Sequence, residues 1–274
     1  MTAVRIGAVS FLNTRPLVYG LQTNADHALS FDTPSVLAEK LRLGEIDVGL
    51  IPIIEYLRGT GDRIVPGICI ASDGPVRTVK LYSRVHPEKI TNVAVDGGSR
   101  SSVALLRIVL AERFGVTPDF HTRHADLRAM LQAHEAALLI GDPAFTDSGA
   151  PFIWDLGQAW KELTNLPFVY AIWAMRDGVD AERVTEWLTQ AMCNGVAHLD
   201  QIARDEVGTA GQEMDSIRTY LRDALGFALG AREMRGAETF QRLCLRYNML
   251  QSARELALAG DAVVPSRDAS SGAD

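Results

Sequence analysis

Cysteine is scarce in this chain of 274 residues: there are three, Cys69, Cys193 and Cys244, far apart and without a CxxC pair. That number and spacing exclude a disulfide framework and a thiolate zinc site, and make each a small apolar packing residue. Long hydrophobic runs are also missing. No stretch approaches the roughly 20 apolar residues that a bilayer span requires. The opening residues lack the basic flank, apolar segment and small-residue cleavage site of a secretory signal. These absences predict a cytoplasmic protein with no membrane partner. Positive charge is in deficit as well, with 27 Lys and Arg against 34 Asp and Glu and a net charge of −7. Nucleic acid is therefore not expected as a partner. An anionic ligand must be held by local donors and dipoles against an opposing global field.

Several catalytic signatures are lacking too. There is no GxSxG elbow and no Cys–His motif, which argues against a nucleophilic hydrolase. A glycine-rich turn at Gly97-Gly98 is not followed by the lysine of a Walker loop. His121 and His124 are three apart, but without clear helical context and without a carboxylate or cysteine at ligand spacing. No metal and no cofactor is expected. Trp154, Trp160, Tyr170 and Trp173 read as core or cleft-wall residues rather than as a base-stacking platform.

What is present is a globular composition, 47% hydrophobic and 22% charged, in a chain long enough for two lobes with separate cores. The first third alternates strand and helix. Strands are predicted at 4–9, 28–31 and 46–51, with helices opening at Pro16 and at Thr33-Pro34, and a short helix after Pro52. Thr33 is the expected N-cap and Gly44 the expected C-cap of the second helix. A strand at 76–82 leads to a second strand–helix series: 93–95, a helix over 103–114, a strand near 119–121, a helix over 126–133 and a strand over 136–140. Residues 44–52 and 134–143 share one design, in which a helix end and an acidic residue precede a hydrophobic strand and a proline-containing loop. Residues 168–175 form a strong strand that returns the chain to the first lobe, and the rest is helical, with apolar faces near 184–192, 217–225 and 237–245. The expected organisation is α/β and two-lobed. Residues 1–83 plus 176–260 form lobe 1 with the C-terminal helices, residues 84–175 form lobe 2, and a tail at 261–274 is expected to be disordered. This resembles the type II periplasmic-binding-protein fold, whose ligand cleft lies between the lobes.

Three clusters of polar residues fall where open α/β sheets bind ligands, at the carboxyl ends of strands. Ser10 and Asn13 lie in the turn after the first strand. Ser99, Ser101 and Ser102 open a helix behind Gly97-Gly98, a good cradle for a carboxylate or phosphate. Ser83 closes the crossing strand, and Gly141-Asp142 follows a strand of the second lobe. Each cluster also has a plainer explanation as helix capping. Arg15 and Arg100 are possible charge partners for an anion, or solvent-facing. From the residues alone, enzyme and binding protein stay open.

The segment Ser10-Phe11-Leu12-Asn13-Thr14-Arg15-Pro16-Leu17 resembles the SFLNTxPL signature of the chorismate dehydratases, which act in the futalosine route to menaquinone. Residues 44–52, 99–102, 141–144 and 160–173 add to the resemblance, which runs from residue 4 to about residue 255. It implies conversion of chorismate, a small dianion, to 3-[(1-carboxyvinyl)oxy]benzoate with loss of water, without a cofactor, in a monomer or homodimer. It implies Asn13 as the residue nearest the reacting centre, orienting or polarising substrate rather than acting as base. Ser83 would bond substrate oxygen as a second catalytic group. Ser101 and Ser102 would bind a substrate carboxylate with the helix N-terminus, Ser10 and Ser99 would also bind substrate, and Gly141 and Asp142 would line the opposite wall. Arg15 falls at the variable position of the signature and takes no catalytic role. Two alternatives remain: a solute-binding protein for a small organic anion, and the related 1,4-dihydroxy-6-naphthoate synthase, whose opening turn is different and which would want a histidine base. A regulatory effector domain would normally follow a helix-turn-helix, for which residues 1–3 give no room.

Overall fold

The strand β1 (Val4–Val9), buried from Ile6 to Val9, starts a six-stranded sheet whose inner strands are almost continuously buried. That is the mark of a sheet covered on both faces. In the computed structural model, which describes residues 3–145, 149–207 and 213–260, a 3-10 helix (Leu12–Val18) follows β1, then β2 (His27–Asp32), α1 (Pro34–Leu43), β3 (Val48–Pro52), α2 (Ile53–Leu57) and β4 (Arg63–Ser72). The chain then enters a second sheet through β5 (Val79–Ser83), β6 (Asn92–Asp96), α3 (Ser101–Phe114), β7 (Asp119–Arg123), α4 (Leu127–Ala133), β8 (Ala136–Ile140) and β9 (Phe152–Asp155). Next come α5 (Leu156–Thr164) and β10 (Phe168–Met175). A helical series follows: α6 (Ala181–Ala197), α7 (Leu199–Glu206), α8 (Met214–Thr219), a π-helical turn (Tyr220–Ala224), a short strand β11 (Gly226–Leu229) and α9 (Ala231–Arg246).

The sheets have the orders β11-β4-β10-β3-β1-β2 and β7-β6-β8-β5-β9. Each is built on the same core. β1 pairs in parallel with β2 and β3, as β6 does with β7 and β8. An antiparallel strand then joins β3 and β8 alike, β10 in the first sheet and β5 in the second. The likeness of residues 44–52 and 134–143 thus reflects equivalent positions, since β3 and β8 occupy the same place in the two sheets.

Boundaries at 83 and 175 would put β5 in the first lobe and β10 in the second; the pairing does the reverse. The chain crosses between sheets within 73–78 and again within 156–167, and each crossing precedes the strand that pairs across to the new sheet. Asp155 fastens the two crossings together. Its carboxylate accepts the amides of Val76 and Arg77 at 3.0 and 2.6 Å, and caps α5 through Gly157 and Gln158 at 2.9 and 3.1 Å.

Local departures from expectation have identifiable causes. The helix expected to start at Pro16 is a 3-10 helix opening at Leu12, because the Thr14 amide already closes on the Phe11 carbonyl at 3.1 Å. Pro16 sits inside it. Thr33 precedes α1 with extended backbone but makes no side-chain cap bond, whereas Gly44 caps the other end at φ +74°. β4 carries Pro66-Gly67 in its middle, which hides it from strand patterning; its pairing with β10 slips there, and Gly67 has φ +77°. Cys69 and Cys244 are buried as expected, but Cys193 is exposed on α6. Residues 261–274 lie outside the described residues. Among the described residues no helix is long and apolar enough to cross a membrane.

Candidate functional site

A cavity lies between the two sheets, at the carboxyl ends of β1, β3, β6 and β8. Its floor and walls are apolar: Val9, Phe11, Pro34 and Pro52 on one side, Val79 and Ile140 on the other. Polar groups enter from four places. Asn13 comes from the 3-10 helix, Thr78 from the first crossing, Tyr170 from β10, and Arg100, Ser101 and Ser102 from the start of α3. A few directed donors in an apolar cleft suit a small organic ligand.

The start of α3 faces the cavity because Asp96 closes a tight turn, its carbonyl accepting the Ser99 amide at 3.0 Å. Ser101 and Ser102 are small enough to be buried where the helix meets the cavity, each about 5% exposed. Unpaired amides and the helix dipole make such an end favourable for an anion. The Ser101 hydroxyl accepts the Ile54 amide at 3.3 Å from the first-sheet side, which leaves its own proton free to donate. Arg100 is exposed beside them and forms no ion pair among the described residues. Among the described residues it is the single ionised side chain of the lining, which there holds no carboxylate, lysine or histidine.

The opposite wall is fixed by close backbone contacts. Gly141 has φ +64°, and a Cβ there would lie 3.2 Å from the Phe11 ring. The Gly141 amide donates to the Thr78 carbonyl at 2.8 Å, holding the crossing against the end of β8. Asp142 stands just outside the lining. Its carboxylate accepts the Leu12 amide at 3.4 Å, and burial pushes its carboxyl above the ordinary carboxylate range. Tyr170 shares a 3.1 Å hydrogen bond with Ser72, and burial drives its phenol well upward. It is held neutral.

The sequence-predicted residues divide accordingly. Asn13, Ser101, Ser102 and Gly141 meet at the cavity, with Asp142 adjacent. Ser99 is buried behind the turn, and its hydroxyl has no hydrogen-bond partner. Ser10 is exposed and outside the lining. Ser83 is a correction. It is fully buried and ends β5 at the edge away from the cavity, opposite Ala136, while Val79 opposite Ile140 reaches the cavity. Four residues of strand separate them by roughly 13 Å. The Ser83 hydroxyl donates to the carbonyls of Val85 and Glu135 at 2.8 and 3.2 Å and accepts the Val85 amide, which closes a turn. The crossing residue at the cavity is Thr78. Tyr170 stands in the cleft wall, one of the two places expected for it, whereas Thr78 escaped sequence analysis because a lone hydroxyl in a hydrophobic stretch has no local signature.

Arg15, the variable residue of the opening motif, forms an ion pair with Glu206 at 2.7 Å and lies outside the cavity lining.

Known proteins share these features. A family model described as menaquinone biosynthesis matches residues 4–246. The chorismate dehydratase of Thermus thermophilus is 28% identical over 236 residues, 79% of this chain and 86% of that protein. Among solved structures, a protein of Archaeoglobus fulgidus matches 90% of this chain and 98% of its own at 17% identity, with a TM-score of 0.71. The periplasmic aliphatic sulphonate binding protein of Escherichia coli matches 96% of each chain at 19% identity, with a TM-score of 0.63. These likenesses establish the periplasmic-binding-protein fold. With its family model covering nearly all of both sheets, the chain belongs to the menaquinone-biosynthesis family.

Proposed function

We propose that the protein is a chorismate dehydratase, a hydro-lyase that converts chorismate to 3-[(1-carboxyvinyl)oxy]benzoate and water. The observation that carries this reading is the charge pattern of the cavity among the described residues: one cation and a helix N-terminus, with no acidic side chain, in otherwise apolar surroundings. A dianion with a six-membered carbon ring matches that pattern. The 28% identical dehydratase of Thermus thermophilus adds independent support.

In this reading Arg100 and the first turn of α3 receive one substrate carboxylate, while Phe11, Pro34 and Ile140 enclose the ring. Removal of the ring proton beside the enolpyruvyl ether places charge in conjugation with the ring carboxylate. Expulsion of the neighbouring hydroxyl then completes an aromatic ring, so proton and hydroxide leave as water and the charge balances. Aromatisation supplies much of the driving force. The protein's share is to position the dianion, support developing charge and keep bulk water out. Asn13 orients and polarises the substrate, since a carboxamide is too weak a base to take the proton. Thr78 offers a hydroxyl to a substrate oxygen. Among the described residues the cavity lining holds no carboxylate or histidine base, so in this reading the enolpyruvyl carboxylate of the substrate itself accepts the proton.

The experiment is incubation of the purified protein with chorismate. Catalytic formation of an aromatic product lighter by one water supports the enzyme. Tight, reversible retention of chorismate without turnover would instead make it a binder, the role of the sulphonate-binding protein that shares its fold.

A further inference from the structure

Behind Asn13 lies a phenol that the cavity itself does not expose. Tyr220 is 1% exposed and outside the cavity lining, yet its hydroxyl stands 2.9 Å from Thr78 Oγ1, itself 1% exposed. The same hydroxyl interacts with the Asn13 side chain. Asn13 and Thr78 both line the cavity, one from each side of the Tyr220 hydroxyl.

We propose that Tyr220 is a positioning residue that fixes the carboxamide of Asn13 and the hydroxyl of Thr78 toward the substrate; this rests on the dehydratase reading. Directionality follows from the donor inventory. Thr14 donates its hydroxyl to Asn13 Oδ1 at 3.4 Å, and the Asn13 contact works to lower the Tyr220 phenol as an N–H donor does, which assigns the amide nitrogen to Tyr220. A phenol oxygen can accept that N–H while its single proton goes to Thr78. The chain Asn13 → Tyr220 → Thr78 then has one polarity, and the carboxamide has one orientation. Burial raises the Tyr220 phenol well above its ordinary value, so the proton that defines this polarity stays in place.

The backbone around Tyr220 is suited to the task. Tyr220 begins the π-helical turn Tyr220–Ala224 at the end of α8, an irregularity that often marks functional positions in helices. Its ring is packed edge-on by Phe145 at 5.1 Å, from the segment that follows Gly141-Asp142. One side chain therefore ties together the opening turn, the first crossing and the end of β8. Sequence analysis placed residue 220 in a helix and had no reason to separate it from the other apolar positions.

The test combines kinetics with a measurement that does not depend on turnover. Tyr220→Phe keeps the ring and removes only the hydroxyl. With chorismate as substrate it is expected to lower kcat by about 10- to 100-fold, the cost of a misaligned group at a reacting centre, with KM changed less than about twofold. In the Asn13→Ala background it is expected to cost clearly less than in the wild type, since part of its effect runs through the Asn13 carboxamide and only the part through Thr78 remains. Thr78→Val, which removes the hydroxyl and keeps the shape, is expected to lower kcat as well. In ligand-free protein, the ¹⁵N-labelled side-chain amide of Asn13, assigned by its loss in Asn13→Ala, should shift in Tyr220→Phe and in Thr78→Val. An unmoved Asn13 amide together with additive losses in the double variant overturns the proposal. Absence of turnover by the wild-type protein overturns the dehydratase reading instead, and the amide shifts still decide whether Tyr220 holds Asn13.

Discussion

The Leu12 amide donates to the Asp142 carboxylate at 3.4 Å, joining the turn after β1 to the end of β8 across the mouth of the cavity. This contact has a pH signature. Burial raises the Asp142 carboxyl above its unfolded value of 3.8, with Glu206 adding to the rise, and the Leu12 amide and Arg15 opposing it. A carboxyl raised on folding holds its proton more tightly in the native state. Its contribution to stability is therefore complete below pH 3.8 and is lost as pH rises through the folded value. Asp142→Asn should gain on the wild type between pH 3.5 and pH 7, as measured by urea denaturation at both pH values. A constant difference between the two proteins would contradict this assignment.

Gly195 of α6 meets the 3-10 helix that carries Asn13. A Cβ at residue 195 would stand 2.0 Å from the Pro16 carbonyl oxygen and 2.6 Å from Pro16 Cα. These are backbone atoms, so a helix must move. Gly195→Ala should cost about 1–3 kcal/mol, the range for overpacking, visible as a fall of roughly 5 °C in Tm. Activity should fall with it, because Asn13 shares the displaced segment.

Ser83 separates what sequence resemblance suggests from what the fold permits. Ser83→Ala should leave kcat and KM with chorismate within about twofold of the wild type. Stability should drop by about 1–2 kcal/mol, since the buried turn loses its donor and the Val85 amide loses its acceptor. Urea denaturation and steady-state kinetics on the same preparation check both halves.

The strand–helix alternation, the caps at Gly44 and the returning strand β10 were legible because each rests on local patterning. β10 spans the same residues in sequence and structure, 168–175. β4 was not legible, because Pro66-Gly67 interrupts its period and the strand survives only through pairing on both sides with β10 and β11. The site followed the same division. Asn13, Ser101, Ser102 and Gly141 sit at strand ends and helix starts, where turn chemistry announces them. Thr78 and Tyr220 are single hydroxyls within apolar stretches, brought together by a contact 142 residues apart. Ser83 failed because strand direction, set by antiparallel pairing with β8, decides which end of β5 meets the cavity.

Arg100 is the single cation of the cavity lining among the described residues, and its loss should fall on substrate capture. Arg100→Gln is expected to raise KM for chorismate about tenfold, within the range for a charge-assisted hydrogen bond to an exposed partner, with a smaller change in kcat. Added salt should weaken binding by the wild type more than by the variant. Equal salt dependence would place the carboxylate elsewhere.

The central claim is most directly tested by identifying the product formed from chorismate by NMR. The account predicts a 3-substituted benzoate with the enolpyruvyl group intact, formed over many turnovers and lost or strongly slowed in Asn13→Ala. Recovery of unchanged chorismate at stoichiometric protein, or a product that has lost the enolpyruvyl group, would contradict it.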